Sequence, residues 1–147
     1  MKTTKMNERE KLVAPCGLDC GRCEFYLSKQ DKDIFEYLVS KGIPKAILPC
    51  NGCRNIEGKC PIVKTDCATY NCTKSKGVEF CSDCKIFPCS MLNPTADRAN
   101  LLPHNLKVFN LCTINRDGLD SFIDQSGKIK LLYYKGKMVI GEGPILE

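Results

Sequence analysis

A small α-rich domain with minor β structure, its helices packed on an irregular cysteine-rich core, is the fold class this sequence predicts. Three observations predict it. Twelve cysteines occur in 147 residues, eleven of them between Cys16 and Cys89. Cys20 and Cys23, Cys50 and Cys53, and Cys81 and Cys84 form C-x2-C pairs, with Gly, Asn, Asp and Pro between and beside them. Around these pairs, apolar residues recur at helical spacing, and the chain closes on a short alternating stretch. Two thiols three residues apart can face one ion from a tight turn, as in structural zinc knuckles. The expectation is therefore a metal-stabilised domain spanning residues 1–147. Residues 14–92 form its cysteine-rich, metal-binding part, and residues 100–147 a helical part with a terminal hairpin.

The first stretch, to Pro49, begins with the charged and polar MKTTKMNEREKL and the turn-rich PCGLDCGRC. From Glu24 the pattern is helical, with Ile34, Phe35, Leu38 and Val39 on one face. Gly42 and Pro44 supply the stop. Gln30-Asp31-Lys32-Asp33 allows a break, with Asp31 or Asp33 as an N-cap. The break matters for distance. An unbroken helix from Glu24 to Lys41 is about 27 Å long, and the eight-residue return to Pro49 spans at most about 28 Å. Either the helix breaks near Asp31, or the first cysteine group finds its remaining ligand away from Cys50 and Cys53. The second alternative is the expectation.

From Cys50 to Pro94 there is little periodicity. CNGCRNIEGKC and CSDCKIFPC read as metal knuckles, and 65–73 as a short helical turn carrying Cys67 and Cys72. Large apolar residues are few, so metal binding is the expected source of order, its free energy becoming folding free energy. Beyond Pro94, Leu106, Val108, Phe109, Leu111 and Cys112 suit an amphipathic helix ending near Arg116. Asp117 is expected to cap a second, short helix bearing Leu119, Phe122 and Ile123 and ended by Gly127. Ile129, Leu131 and Tyr133, a Lys135-Gly136 turn, then Met138 and Ile140 read as the hairpin.

The expected metal residues are Cys16, Cys20, Cys23, Cys50, Cys53, Cys60, Cys67, Cys72, Cys81, Cys84 and Cys89. Cys112 falls in a helical apolar pattern and is read as a core residue, and His104, the single histidine, as solvated or capping. Which cysteines share an ion stays open. The N-terminus has no apolar segment of an export signal, and no stretch approaches a membrane span, so a cytoplasmic chain with reduced thiols is expected. The formal charge of +5 counts thiols as neutral. Each zinc bound by four thiolates contributes −2, so two sites lower +5 to +1 and three lower it to −1. The lysines are dispersed, so nucleic-acid binding is weakly supported. A protein partner fits better, its identity unknown, and no membrane partner is expected.

Other chemistries find little support. Cys16, Cys20 and Cys23 match the C-x3-C-x2-C spacing of radical enzymes that hold a four-iron cluster, but no βαβ alternation follows. Bacterial ferredoxin spacing is absent, as is the frame of a thiol-disulfide enzyme. No phosphate loop, nucleophile with a base, or histidine-carboxylate cluster is evident, so no catalytic residue is assigned.

The motifs APCGLDCGRCEFY, CNGCR, the Cys67/Cys72 pair and GVEFCSDCKIFPCSML together resemble a family of cysteine-rich prokaryotic domains of unknown function, described as zinc-binding. The resemblance covers Ala14 to Leu92 and implies metal at these positions, with no activity, substrate or partner attached. The expected cofactor is zinc, two or three ions, with an iron–sulfur cluster as the alternative. Soft thiolate donors suit both. The corresponding roles are a structural zinc protein acting as an interaction or adaptor module, or an iron–sulfur protein that transfers electrons or senses oxidation.

Overall fold

Asp31 breaks the first helical stretch in two. In the computed structural model, which describes residues 5–61, 66–92 and 105–147, α1 spans Glu24–Leu27 and α2 Lys32–Ser40. The Asp31 carboxylate accepts hydrogen bonds from the backbone N–H groups of Asp33 (2.9 Å) and Ile34 (3.2 Å), satisfying donors that a helix start leaves orphaned. Gly42, at φ 91°, ends α2, and the Ile43 N–H closes back on the Leu38 carbonyl at 3.1 Å. The chain then returns through a 3-10 turn at Lys45–Ile47, and the Cys50 N–H donates to the Phe25 carbonyl at 2.9 Å. The return thus lands beside α1.

Ahead of α1, residues 13–19 form a tight loop closed by a β-bridge between Val13 and Asp19. Gly17, at φ 91°, sits where a Cβ would lie 2.8 Å from Leu111 Cγ, so only glycine lets this loop press on the C-terminal helices. Asp19 caps the 3-10 turn Cys20–Arg22, accepting from the Gly21 N–H at 3.0 Å.

In the middle of the chain, α3 spans Ala68–Lys76, with Cys67 at its N-cap and Gly77 in the left-handed conformation at its end. The Thr69 hydroxyl donates to the Met91 carbonyl at 2.9 Å, tying α3 to the 3-10 turn Ser90–Leu92. Another 3-10 turn, Cys81–Asp83, is anchored where the Cys81 N–H meets the Pro15 carbonyl at 2.9 Å. His104, Ile62 and Val63 lie outside the described residues.

The C-terminal part departs from expectation. α4 (Leu106–Asp117) is capped by Asn105, whose side chain accepts from the Lys107 and Val108 N–H groups. α5 then runs from Leu119 to Lys135, through Gly127 and the stretch expected to be a strand. Phe122, Ser126 and Ile129 face inward at i, i+4 and i+7, a longer helical repeat than the three-step alternation that suggested a strand. Gly127 sits inside the helix beside Arg22, whose Cζ would lie 3.4 Å from an added Cβ, an ordinary contact distance. Asp117 is the last residue of α4 and pairs with Arg116 at 2.9 Å, while Gly118 joins the helices. The hairpin lies further on. β1 (Lys137–Val139) pairs antiparallel with β2 (Gly143–Ile145), Met138 opposite Pro144. Cys112, expected in the core, is exposed, because the buried face of α4 is carried by Leu106, Asn110, Leu111, Thr113 and Ile114.

The core contains Val13, Phe80, Cys81, Leu92, Leu111, Ile114 and Phe122. It draws on both the cysteine-rich part and the C-terminal helices. Among the described residues no helix is long and apolar enough to cross a membrane. The chain is thus a small helix-rich protein with a two-strand hairpin and a cysteine-rich half.

Candidate functional site

Breaking the helix at Asp31 lets the first two C-x2-C pairs meet. The Sγ atoms of Cys20 and Cys53 are 3.5 Å apart. Two thiolates on one tetrahedral zinc, with Zn–S near 2.3 Å, stand about 3.8 Å apart. The expectation that the first group looks away from Cys50 and Cys53 is therefore corrected. Cys53 also hydrogen-bonds Cys60, and Cys16 lies within electrostatic range of Cys20, Cys53 and Cys67. Cys50 is in the same range of Cys20 and Cys60, and Cys23 of Cys20. Cys20, Cys53 and Cys60, from two sequence-distant segments, thus touch in series, with Cys16, Cys23, Cys50 and Cys67 near enough to act on them or on one another electrostatically.

Their protonation reflects crowding and burial. Contact with Cys53 lowers Cys20 against the effect of burial, while contact with Cys20, then Cys60, then burial raise Cys53. Burial pushes Cys16 and Cys50 up, and raises Cys23 to about 11.

A second group forms between α3 and the 81–89 segment. Cys72, Cys81, Cys84 and Cys89 line a cavity of about 20 Å³, room for a single water-sized occupant. Burial, then the neighbouring thiols Cys16, Cys89 and Cys72, push Cys81 up to about 12. Cys84 is lowered, first by the Ile86 N–H and also by Lys76, whose Nζ is 3.6 Å from its sulfur. The sequence leaves this grouping open, because four thiols spread over 72–89 could serve either neighbourhood.

None of the twelve cysteines forms a disulfide. Among the described residues, no three His, Cys, Asp or Glu side chains converge closely enough to hold an ion as they stand. Proximity and donor chemistry fit a soft metal, while a formed coordination sphere is not present. Cys112 stands apart on the exposed side of α4.

Three residues absent from the sequence reading organise the site. Arg54 donates from Nε to the Val13 carbonyl (2.8 Å) and from Nη2 to the Glu79 carbonyl (2.8 Å), and pairs with the Glu79 carboxylate at 3.0 Å. Its guanidinium lies 5.0 Å from the Phe80 ring centre, so one side chain joins the Cys50–Cys53 knuckle to both flanking segments. Asp19, its side chain 5 % exposed, takes a two-point salt bridge from Arg9 at 2.8 and 2.6 Å and accepts from the Ser126 hydroxyl at 2.7 Å. Asn110 donates to the Gly17 carbonyl at 2.9 Å. Each acts across more than nine residues of sequence, and nothing in local pattern marks such partners. Only the position of Arg54 directly after a C-x2-C pair was a signal.

No curated protein and no solved structure matches this chain. A family model described as a protein of unknown function (DUF3795) matches residues 12–94, from just ahead of Cys16 to just past Cys89. That span is more than half of the 147 residues and contains both thiol groups, and the chain belongs to this family.

Proposed function

We propose that the two thiol groups hold zinc and that the protein is a structural metal-binding module whose surface engages a protein partner. The observation that carries this reading is the convergence of Cys20 and Cys53, 3.5 Å apart from segments 33 residues distant, onto a neighbourhood of thiols. Cys20, Cys53 and Cys60, with Cys67, Cys16 or Cys50 as the fourth, would supply one ion, and Cys72, Cys81, Cys84 and Cys89 a second. Closure requires the thiols to draw onto a common centre, and thiolate formation on metal binding supplies the driving force, including for groups that burial holds protonated. Four thiolates leave zinc no open position and make it a poor Lewis acid, which favours a structural over a catalytic role.

Anaerobic purification with elemental analysis and a visible spectrum tests this. Colourless protein with two or more zinc ions per chain is the expected result. Protein without metal, its thiols all free to react, would overturn the reading. One observation favours a second reading for the first group: a single loop presents Cys16, Cys20 and Cys23 at C-x3-C-x2-C spacing, as iron–sulfur clusters use. Brown protein with matching iron and sulfide would establish that alternative, with a redox role in place of a structural one.

A further inference from the structure

The contact between Cys20 and Cys53 has more thiols around it than one four-coordinate ion can use. Cys53 stands in the middle of a row of three, its sulfur 3.5 Å from that of Cys20 and hydrogen-bonded also to Cys60. Cys16 bears on Cys20, Cys53 and Cys67, Cys23 on Cys20, and Cys50 on Cys20 and Cys60. The backbone holds these segments together. The Cys50 N–H meets the Phe25 carbonyl at 2.9 Å, which sets the Cys50–Cys53 knuckle against α1, directly after the Cys20–Cys23 knuckle. On the other side, the Gly58 N–H donates to the Cys53 carbonyl at 3.0 Å and the Cys67 N–H to the Gly58 carbonyl at 2.9 Å. Gly58, at φ 79°, lies where a Cβ would come within 2.8 Å of the Tyr70 ring, so α3 presses closely on this loop.

A count gives a second, independent observation. Eleven cysteines lie between Cys16 and Cys89. Separate four-thiolate sites leave three of them over, whereas two tetrahedral ions that share one sulfur take seven thiolates. Seven is the number in the first group, and the other four line the cavity between α3 and the 81–89 segment. Cys53 is the sulfur placed for sharing, because it touches thiols on both sides.

We propose that the first group is a two-ion cluster in which the Cys53 thiolate bridges both ions. The inference rests on the zinc reading and extends it. With one ion present, Cys20, Cys53 and Cys60 share it; when a second enters, Cys20 and Cys60 fall to opposite sides of the Cys53 sulfur. Cys20, Cys23 and Cys50 then complete one ion, and Cys16, Cys60 and Cys67 the other. The two ions stand at most about 4.6 Å apart, twice the Zn–S length. A full chain holds three ions, the third in the second group.

The test uses the full chain, loaded anaerobically with excess zinc or cadmium-113 and freed of loose metal by gel filtration. Cadmium carries the same charge and favours the same soft donors. Native mass spectrometry should find three ions per chain. The cadmium-113 spectrum should contain three resonances, two of them split by each other through the shared sulfur and the third a singlet. Cys23→Ser should lower the total to two and abolish the splitting, while Cys72→Ser should remove the singlet and leave the split pair. If either variant fails to fold, the splitting in the unaltered chain decides alone. A maximum of two ions, three unsplit resonances, or a folded C23S that keeps the split pair overturns the cluster and leaves the zinc reading standing. Protein that takes up no metal overturns both.

Discussion

At the scale of single residues, Arg54 does what no cysteine can. Its guanidinium satisfies one carbonyl on each of two flanking segments, and three of its contacts come from one planar fork. Arg54→Ala leaves the Val13 and Glu79 carbonyls without that donor, and hydrogen bonds from a charged group contribute about 1.5–3 kcal/mol each. Urea unfolding should show a loss of about 3 kcal/mol, and a loss below about 0.5 kcal/mol would mean water replaces the fork. Two glycines make an opposed pair of expectations. At Gly17 the positive φ and the 2.8 Å approach to Leu111 both oppose a side chain, so Gly17→Ala should cost at least about 2 kcal/mol. At Gly127 the nearest atom to an added Cβ is 3.4 Å away and belongs to the flexible Arg22. Gly127→Ala should instead stabilise by about 0.5–1 kcal/mol, the helix-propensity difference. Melting curves of the two variants shifting in the same direction would refute this reading of their surroundings.

At the scale of elements, the decisive one is the interruption at Asp31. The Asp31 carboxylate on two N–H groups turns what would be a rod into two short helices. Asp31→Ala should cost about 1 kcal/mol through the lost cap, read from urea unfolding. A larger effect on the spacing of Cys20 and Cys53 than on stability would show that the cap positions the knuckles. The stop at Gly42 was legible because a glycine after an apolar helical run is a local signal. The break at Asp31 stood only as the alternative not expected, since a possible cap does not say whether the helix in fact breaks there. α3 was legible in outline, since 65–73 reads as a helical turn, and the helix spans Ala68–Lys76. α5 was not. Gly127 looks like a terminator in the sequence, yet the helix runs through it, and an added Cβ would meet only ordinary contact with Arg22. Ile129, Leu131 and Tyr133 alternate over too short a span to separate a strand from a helix, and the paired strands begin only at Lys137. Cys112 was misplaced for a related reason. Val108 packs on the core while its helical neighbour Phe109 is 56 % exposed, so apolar identity alone does not report which side of α4 faces in. The sequence singles out eleven cysteines as metal candidates from spacing alone. Their division into two groups was not legible, because it depends on chain return and not on motif.

At the scale of the whole molecule, the core is shared. Val13, Phe80 and Leu92 from the cysteine-rich half pack with Leu111, Ile114 and Phe122 from α4 and α5. With so few large apolar side chains between Cys50 and Cys89, the proposed ions carry the ordering of that half. A strong chelator should then abolish amide protection across 50–89. It should also weaken protection in α4, whose buried face rests on residues of that half, while α5 keeps the most. Unchanged exchange after verified metal removal would show that burial alone holds the fold.

Helix α3 has a further consequence for how such a protein would fill. Cys67 caps it and Cys72 stands five residues on, about 7.5 Å along the axis and about 140° around it. One short, stiff rod therefore offers a sulfur to each neighbourhood, from different sides. An ion captured at either end fixes the rod's rotation and presents the other sulfur already aimed. Uptake of two ions should consequently be cooperative, with half-filled molecules scarce throughout a titration. Native mass spectrometry at substoichiometric zinc would show empty and doubly loaded chains together, and a dominant singly loaded species would mean that the rod turns freely.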